Sequence, residues 1–371
     1  MQRGFLATFF FTSFLFRTFV GKISDMSTEN GKRIEYLDLA KGLCIILVVF
    51  YHAKGVLARE YWFEPFLASF RMPLYFFLSG LFFRDYGGFK RFLTKKTNRL
   101  LVPFLAFYLL TAVLLPNIMH FVWETEFETV MGLPSLWAFI WPGVFPNIPI
   151  WFLWSLFMMN LLFWWIHRAA NGKSGGQAKP YAAWILIMAC LICGFVGHES
   201  LTIKGFDVAY FFGALASMPF FCTGYLFASY NGLPTLNNLN KATAFPIFCL
   251  LLGICFTCSM FLSSANVEMT YLLKLISGTT GALMIVTLSR MIVRIPFISY
   301  IGRYSIILLL THGILVRALT PLCRSLSSTL NADSAILIVT LLVLLSQLII
   351  IPLARRYFPR ITAQKPLLQE D

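Results

Sequence analysis

The chain is built from long apolar runs that do not alternate, several of them near the 17–25 residues that cross bilayer hydrocarbon as helix. This feature decides the fold class. In hydrocarbon every backbone N–H and C=O must pair within the structure, so only helices and closed barrels span it. Barrel strands alternate apolar and polar positions, and these runs do not. Window reading predicts spans at 36–57, 64–83, 100–119, 150–167, 181–197, 208–228, 243–262, 270–291, 304–322 and 334–354. The expected fold is therefore all-α, a polytopic integral membrane bundle of about ten transmembrane helices. Charged residues make up only 12% of the chain, against about 25% in soluble domains. That is too few to cover a water-facing surface.

The formal net charge of +14 would suggest nucleic acid in a soluble protein, but the positions of the charges exclude that reading. Lys and Arg gather in loops of one side: Arg84, Lys90, Arg91, Lys95, Lys96 and Arg99; then Arg168, Lys173 and Lys179; Lys241; Arg290, Arg294 and Arg303. The tail adds Arg355, Arg356, Arg360 and Lys365. The longest loop of the other side, 120–149, carries Glu124, Glu126 and Glu128 and no cation. By the positive-inside rule both termini are expected on the cytoplasmic side of an inner (cytoplasmic) membrane.

Three regions follow. Residues 1–33 read as a leader, with an apolar stretch at 5–16 too short to span; a start codon placed too early and an interfacial helix both account for it. Residues 34–356 form the transmembrane domain and 357–371 a cytoplasmic tail. Residues 172–180 read as a flexible Gly- and Lys-rich linker. The eight cysteines, including the CxxC pairs Cys190–Cys193 and Cys255–Cys258, lie among Leu, Ile and Phe. They read as small packing residues, because a metal site wants polar neighbours.

Ionisable groups inside spans are costly and therefore functional candidates. The first span holds Asp38, Lys41, His52 and Lys54. At 100° per residue Asp38, Lys41 and His52 fall within an arc of about 60°, and Lys41 and His52 stand ~16 Å apart along the axis. One stripe thus runs from a charged pair at the cytoplasmic end to an imidazole, the side chain best suited to move a proton near neutral pH. Lys96 and Arg99, three residues apart, share one side of a turn leading into the third span. There they suit either phosphate binding or the setting of topology.

Several segments together resemble the acyltransferase-3 family of bacterial membrane acyltransferases, in particular its sugar O-acetylase branch. Residues 36–52 resemble its first helix, with Lys41 as the basic residue before glycine and His52 eleven positions on. Phe70-Arg-Met-Pro-Leu-Tyr-Phe-Phe-Leu-Ser-Gly80 resembles its second-helix signature. Lys96-Thr-Asn-Arg99 resembles its Arg-x-x-Arg motif with Lys at the first position, which puts bidentate phosphate contact there in doubt. Residues 149–153 and 301–312 resemble later landmarks.

The resemblance implies O-acyl transfer from acyl-CoA, usually acetyl-CoA, to a hydroxyl of an envelope or exported glycan or lipid-linked sugar, in a bundle of about ten helices without a metal. On that reading His52 is the catalytic base. Asp38 holds Lys41, and Lys41, Arg71, Lys96 and Arg99 hold the coenzyme. Ser79, Trp151, Trp154 and His312 bind substrate. His52 and the cations are expected to share one continuous, water-accessible cavity. The rival expectation is a transporter or flippase for a lipid-linked sugar or small metabolite, which would also carry a buried His and charges.

Overall fold

The computed structural model describes residues 34–111, 148–171, 180–204, 210–264 and 267–369. The expected leader 1–33, nearly all of the acidic loop 120–149 and nearly all of the linker 172–180 lie outside these residues. Among the described residues every regular element is helical: α1 (Glu35–Gly55), α2 (Glu64–Arg71), α3 (Pro73–Leu81), α4 (Phe89–Lys96), a wide π-turn (Thr97–Leu101), α5 (Val102–Leu109), α6 (Trp151–Asn171), α7 (Pro180–Lys204), α8 (Phe211–Ala216), α9 (Met218–Ser229), α10 (Gly232–Asn238), α11 (Lys241–Met260), α12 (Val267–Ile292), α13 (Pro296–Arg303), α14 (Ser305–Ala318), α15 (Thr320–Thr329) and α16 (Ala332–Tyr357). The eight cysteines form no disulfide.

Among the described residues six stretches are long and apolar enough to cross a bilayer: Glu35–Gly55, Tyr181–Leu201, Phe211–Ser229, Lys241–Met260, Glu268–Ile292 and Ala332–Tyr357. The pair α13–α14, bent by 90°, makes a seventh if counted as one span. The expected count of about ten is therefore not reached among the described residues, and the reasons are local. The run 64–83 is cut at Met72, because Pro73 has no N–H to continue α2 and instead opens α3. Helix α6 is long enough at 21 residues, but four tryptophans, Asn160, His167 and Arg168 dilute its apolar character. Of the run 100–119 only the first part is described.

Helix α1 is the axis of the bundle. It packs on α2, α12, α13, α14 and α16, and 61% of its most apolar window is buried against 17% for Lys241–Met260, which lies at the periphery. At two helix crossings a pair of glycines, one on each helix, allows the backbones to touch. A Cβ on Gly42 would overlap the Ile298 carbonyl, and one on Gly302 would overlap that of Asp38, so α1 and α13 touch backbone to backbone. Gly80 and Gly224 make the same reciprocal contact between α3 and α9. In membranes, where lipid is as apolar as leucine, such close approach is a main source of helix association. Gly42→Ala is expected to force α13 off α1 and destabilise the protein by about 1–3 kcal/mol. Thermal unfolding in detergent reads this as a lowered Tm; an unchanged Tm would show that the crossing tolerates a methyl group.

Candidate active site

The site starts from helical spacing. Lys41, Ile45, Val48 and His52 recur at intervals of four, three and four residues, so they form one face of α1. On α14, Ser305, Leu309 and His312 recur at four and three. The two faces meet. Lys41, Ile45 and Val48 from α1 and Ser305, Ile306 and Leu309 from α14 line one cavity of about 240 Å³, closed by Tyr75 and Ser79 of α3 and Phe82 just after it, by Lys96 and Arg99, and by Phe152, Leu153 and Asn160 of α6.

Its basic end gathers Lys41, Lys96 and Arg99. Asp38, buried, pairs with Lys41 at 3.6 Å, and Tyr75 Oη donates to the Lys41 carbonyl at 2.9 Å. The Lys41 ammonium sits 5.5 Å from the Phe82 ring centre, and that of Lys96 lies 5.5 Å from Phe92. Lys96 is only 9% exposed. Its burial, together with the Arg99 guanidinium beside it, lowers its ammonium to about 7.

The chain presents Lys96 and Arg99 through the π-turn. Pro103 has no N–H to donate to the Arg99 carbonyl four residues back, and its ring would clash with that oxygen in a regular α-turn. The backbone widens instead, and Val102 N–H donates to the Thr97 carbonyl. Such turns often mark functional sites. Between the two cations, Asn98 is 3% exposed and holds the C-terminal tail. Its Oδ1 accepts from Leu367 N–H (3.1 Å) and Leu368 N–H (2.8 Å), and its Nδ2 donates to the Leu368 carbonyl at 2.9 Å. The tail therefore braces the basic end.

Beyond the cavity's other end lie the histidines. Val48 and Leu309 are the last wall residues on their helices, and His52 and His312 follow one turn on, with ring centres 5.2 Å apart. His52 is half-buried and does not line the cavity. The cavity expected from sequence to include His52 ends on these two helices at Val48 and Leu309, one turn short of it. His312 is fully buried. Its Nδ1 lies 2.8 Å from the Leu308 carbonyl and so carries the proton it donates there. Nε2 is left as the lone-pair nitrogen of the neutral ring, buried without a hydrogen-bond partner.

The remaining candidates divide. Ser79 lines the cavity, although its hydroxyl donates to the Tyr75 carbonyl at 2.8 Å. Arg71 stands apart from the basic end. It pairs with Glu64 at 3.0 Å and stacks 4.2 Å from the Tyr51 ring centre, near the histidines and near Lys54, which pairs with Glu60 and Glu64. The expectation that Arg71 joins the coenzyme grip does not match this placement. The long Arg side chain follows its carboxylate partner in α2 away from the cavity that neighbouring Met72 lines. Trp151 stacks on Tyr210 and Trp154 packs on Phe104, and neither lines the cavity. Adjacent Phe152 and Leu153 do.

Asn160, not singled out by the sequence, does line it. It is 1% exposed, its Nδ2 donates to the Leu156 carbonyl at 2.7 Å, and its Oδ1 has no hydrogen-bond partner. The available signal was a lone carboxamide in the middle of an apolar helix. Among the described residues no three His, Cys, Asp or Glu side chains gather where they could hold a metal ion.

Helices of membrane-crossing length around an internal cavity, cationic at one end and followed by paired imidazoles at the other, define an integral membrane protein. A family model described as an acyltransferase domain, that of acyltransferase 3, matches residues 34–355. The chain belongs to the acyltransferase-3 family and is a membrane acyltransferase. Comparisons with curated proteins and with solved structures find no match.

Proposed function

We propose that the protein transfers acetyl, or a similar short acyl group, from acyl-CoA to a hydroxyl of an envelope or exported glycan, as a sugar O-acetylase. It would do so in the inner membrane, with the basic end and both termini facing the cytoplasm and about ten spans in all. The observation that carries this reading is the α1 stripe, which leads from Lys41 at the basic end to His52 at the histidine pair.

Lys96 and Arg99, with Lys41 close by, suit the coenzyme phosphates through charge-assisted hydrogen bonds. Asp38 holds Lys41 in place by its ion pair. At about 240 Å³ the cavity is smaller than the ~300–1,000 Å³ of a drug-sized ligand site. It therefore suits the pantetheine arm, with the nucleotide left at the basic end. The arm's amides offer N–H groups, which the orphan Oδ1 of Asn160 is placed to accept. The acyl group passes Val48 and Leu309 to reach His52. There a ring nitrogen of His52 takes the acceptor hydroxyl proton as the oxygen attacks the thioester carbonyl. The carbon–sulfur bond breaks, and the coenzyme leaves as a thiolate that recovers the proton. His312 Nε2 suits a second hydroxyl of the sugar.

Asn160→Leu removes the amide acceptor without opening a void, and the KM for acyl-CoA should rise about 2–12-fold at unchanged kcat. A coenzyme titration with an unchanged KM would remove Asn160 from the site. The activity itself is tested with purified full-length protein, acetyl-CoA and a glycan acceptor, reading thiol release together with acetylated glycan by mass spectrometry. Uptake of a lipid-linked sugar into vesicles without thiol release would instead favour a transporter.

A further inference from the structure

A second cavity of about 290 Å³ lies on the other side of the kinked α2–α3 pair from the first, between that pair, α7, α9 and α12. Met72, Tyr75 and Ser79 face the first cavity, whereas Ser69 and Pro73 face this one. Its wall includes Lys274, a lysine inside the apolar span Glu268–Ile292, together with Ser217 and the stacked rings of His198 and Tyr271, 5.5 Å apart. Buried His198 is 6% exposed.

The local hydroxyls are already committed: Ser69 donates to the Phe66 carbonyl, Ser217 to that of Gly213 and Tyr271 to that of Leu191. Among the described residues no carboxylate pairs with the Lys274 ammonium. A cation inside a span is costly unless something offsets it. The surroundings say what that is. Lys274 is itself exposed, and so is Phe261, beside the lining Leu262. The cavity therefore adjoins hydrocarbon, and its occupant must bring both a negative charge and apolar chains.

We propose that this cavity binds the head group of an anionic membrane lipid, with Lys274 as its counter-charge and the acyl chains leaving past exposed Phe261. The site is separate from the proposed acyl-transfer route and does not rest on it.

The test is native mass spectrometry of the full-length protein in nonionic detergent, titrated with dioleoylphosphatidylglycerol or dioleoylphosphatidylcholine. The anionic lipid should be retained about fivefold better, the worth of one partly exposed ion pair. Lys274→Gln and Lys274→Met should remove that preference, Lys274→Arg should keep it, and excess inorganic phosphate should not displace the lipid. Equal retention of the two lipids by the unaltered protein would overturn the proposal, and needs no variant to fold. An unchanged preference in Lys274→Gln would also overturn it. So would displacement by inorganic phosphate, which would mark a small-anion site.

Discussion

Alanine in place of His52 is expected to lower acyl transfer about 10²–10⁴-fold, the usual worth of a positioned general base, while acyl-CoA binding and expression stay intact. The separation follows from the geometry. His52 is half-buried and stands one turn beyond the cavity wall, so its loss leaves Lys41, Lys96 and Arg99 where they are. His52→Gln sharpens the test. Glutamine keeps polar contacts and bulk but takes up no proton, so it should be as inactive as alanine. Initial rates of thiol release at saturating acyl-CoA give the comparison, and near-normal turnover in either variant would remove His52 from the chemistry.

The second large effect is expected at the basic end. Arg99→Ala should weaken acyl-CoA binding about 10–150-fold, the range for lost hydrogen bonds to a charged group, with little change in kcat once the coenzyme saturates. Lys96 adds a pH signature. Its burial and the neighbouring Arg99 set its ammonium at about 7, so it is charged below that value and neutral above it. Coenzyme affinity should therefore fall as pH rises through about 7, by up to about tenfold per pH unit. Lys96→Arg should flatten the dependence, because a guanidinium stays protonated, and it restores the fork that grips phosphate in two places. Calorimetric titrations at about pH 6.5 and 8.5 decide the matter. The same slope in both proteins would mean that Lys96 does not touch the phosphates.

Much of this arrangement could be read from the amino-acid order, and the part that could not has a common cause. The all-helical membrane fold follows from unalternating apolar runs, a property of each segment alone. The α1 stripe is equally local, since 41, 45, 48 and 52 share a face in any α-helix. What depends on a neighbour was hidden. Pro73 cuts the run 64–83, and the 90° bend after Arg303 shortens another span. Arg71 looks like one more cation until Glu64 and Tyr51 claim it. That the cavity wall ends at Val48 and Leu309, short of His52, depends on how two helices meet and on no pattern within either. Asn160 matters because its second polar atom finds no partner, which no sequence pattern records.

The central claim is that an acyl group bound from the basic end reaches His52. It can be tested by proximity rather than by rate. In His52→Cys, a coenzyme A derivative carrying a haloacetyl group in place of acetyl should alkylate the introduced thiol. Peptide mass spectrometry should find the label at position 52, and free coenzyme A should suppress it. Coenzyme binding at normal affinity without label at position 52 would contradict the account, since the arm would then end short of the imidazole pair.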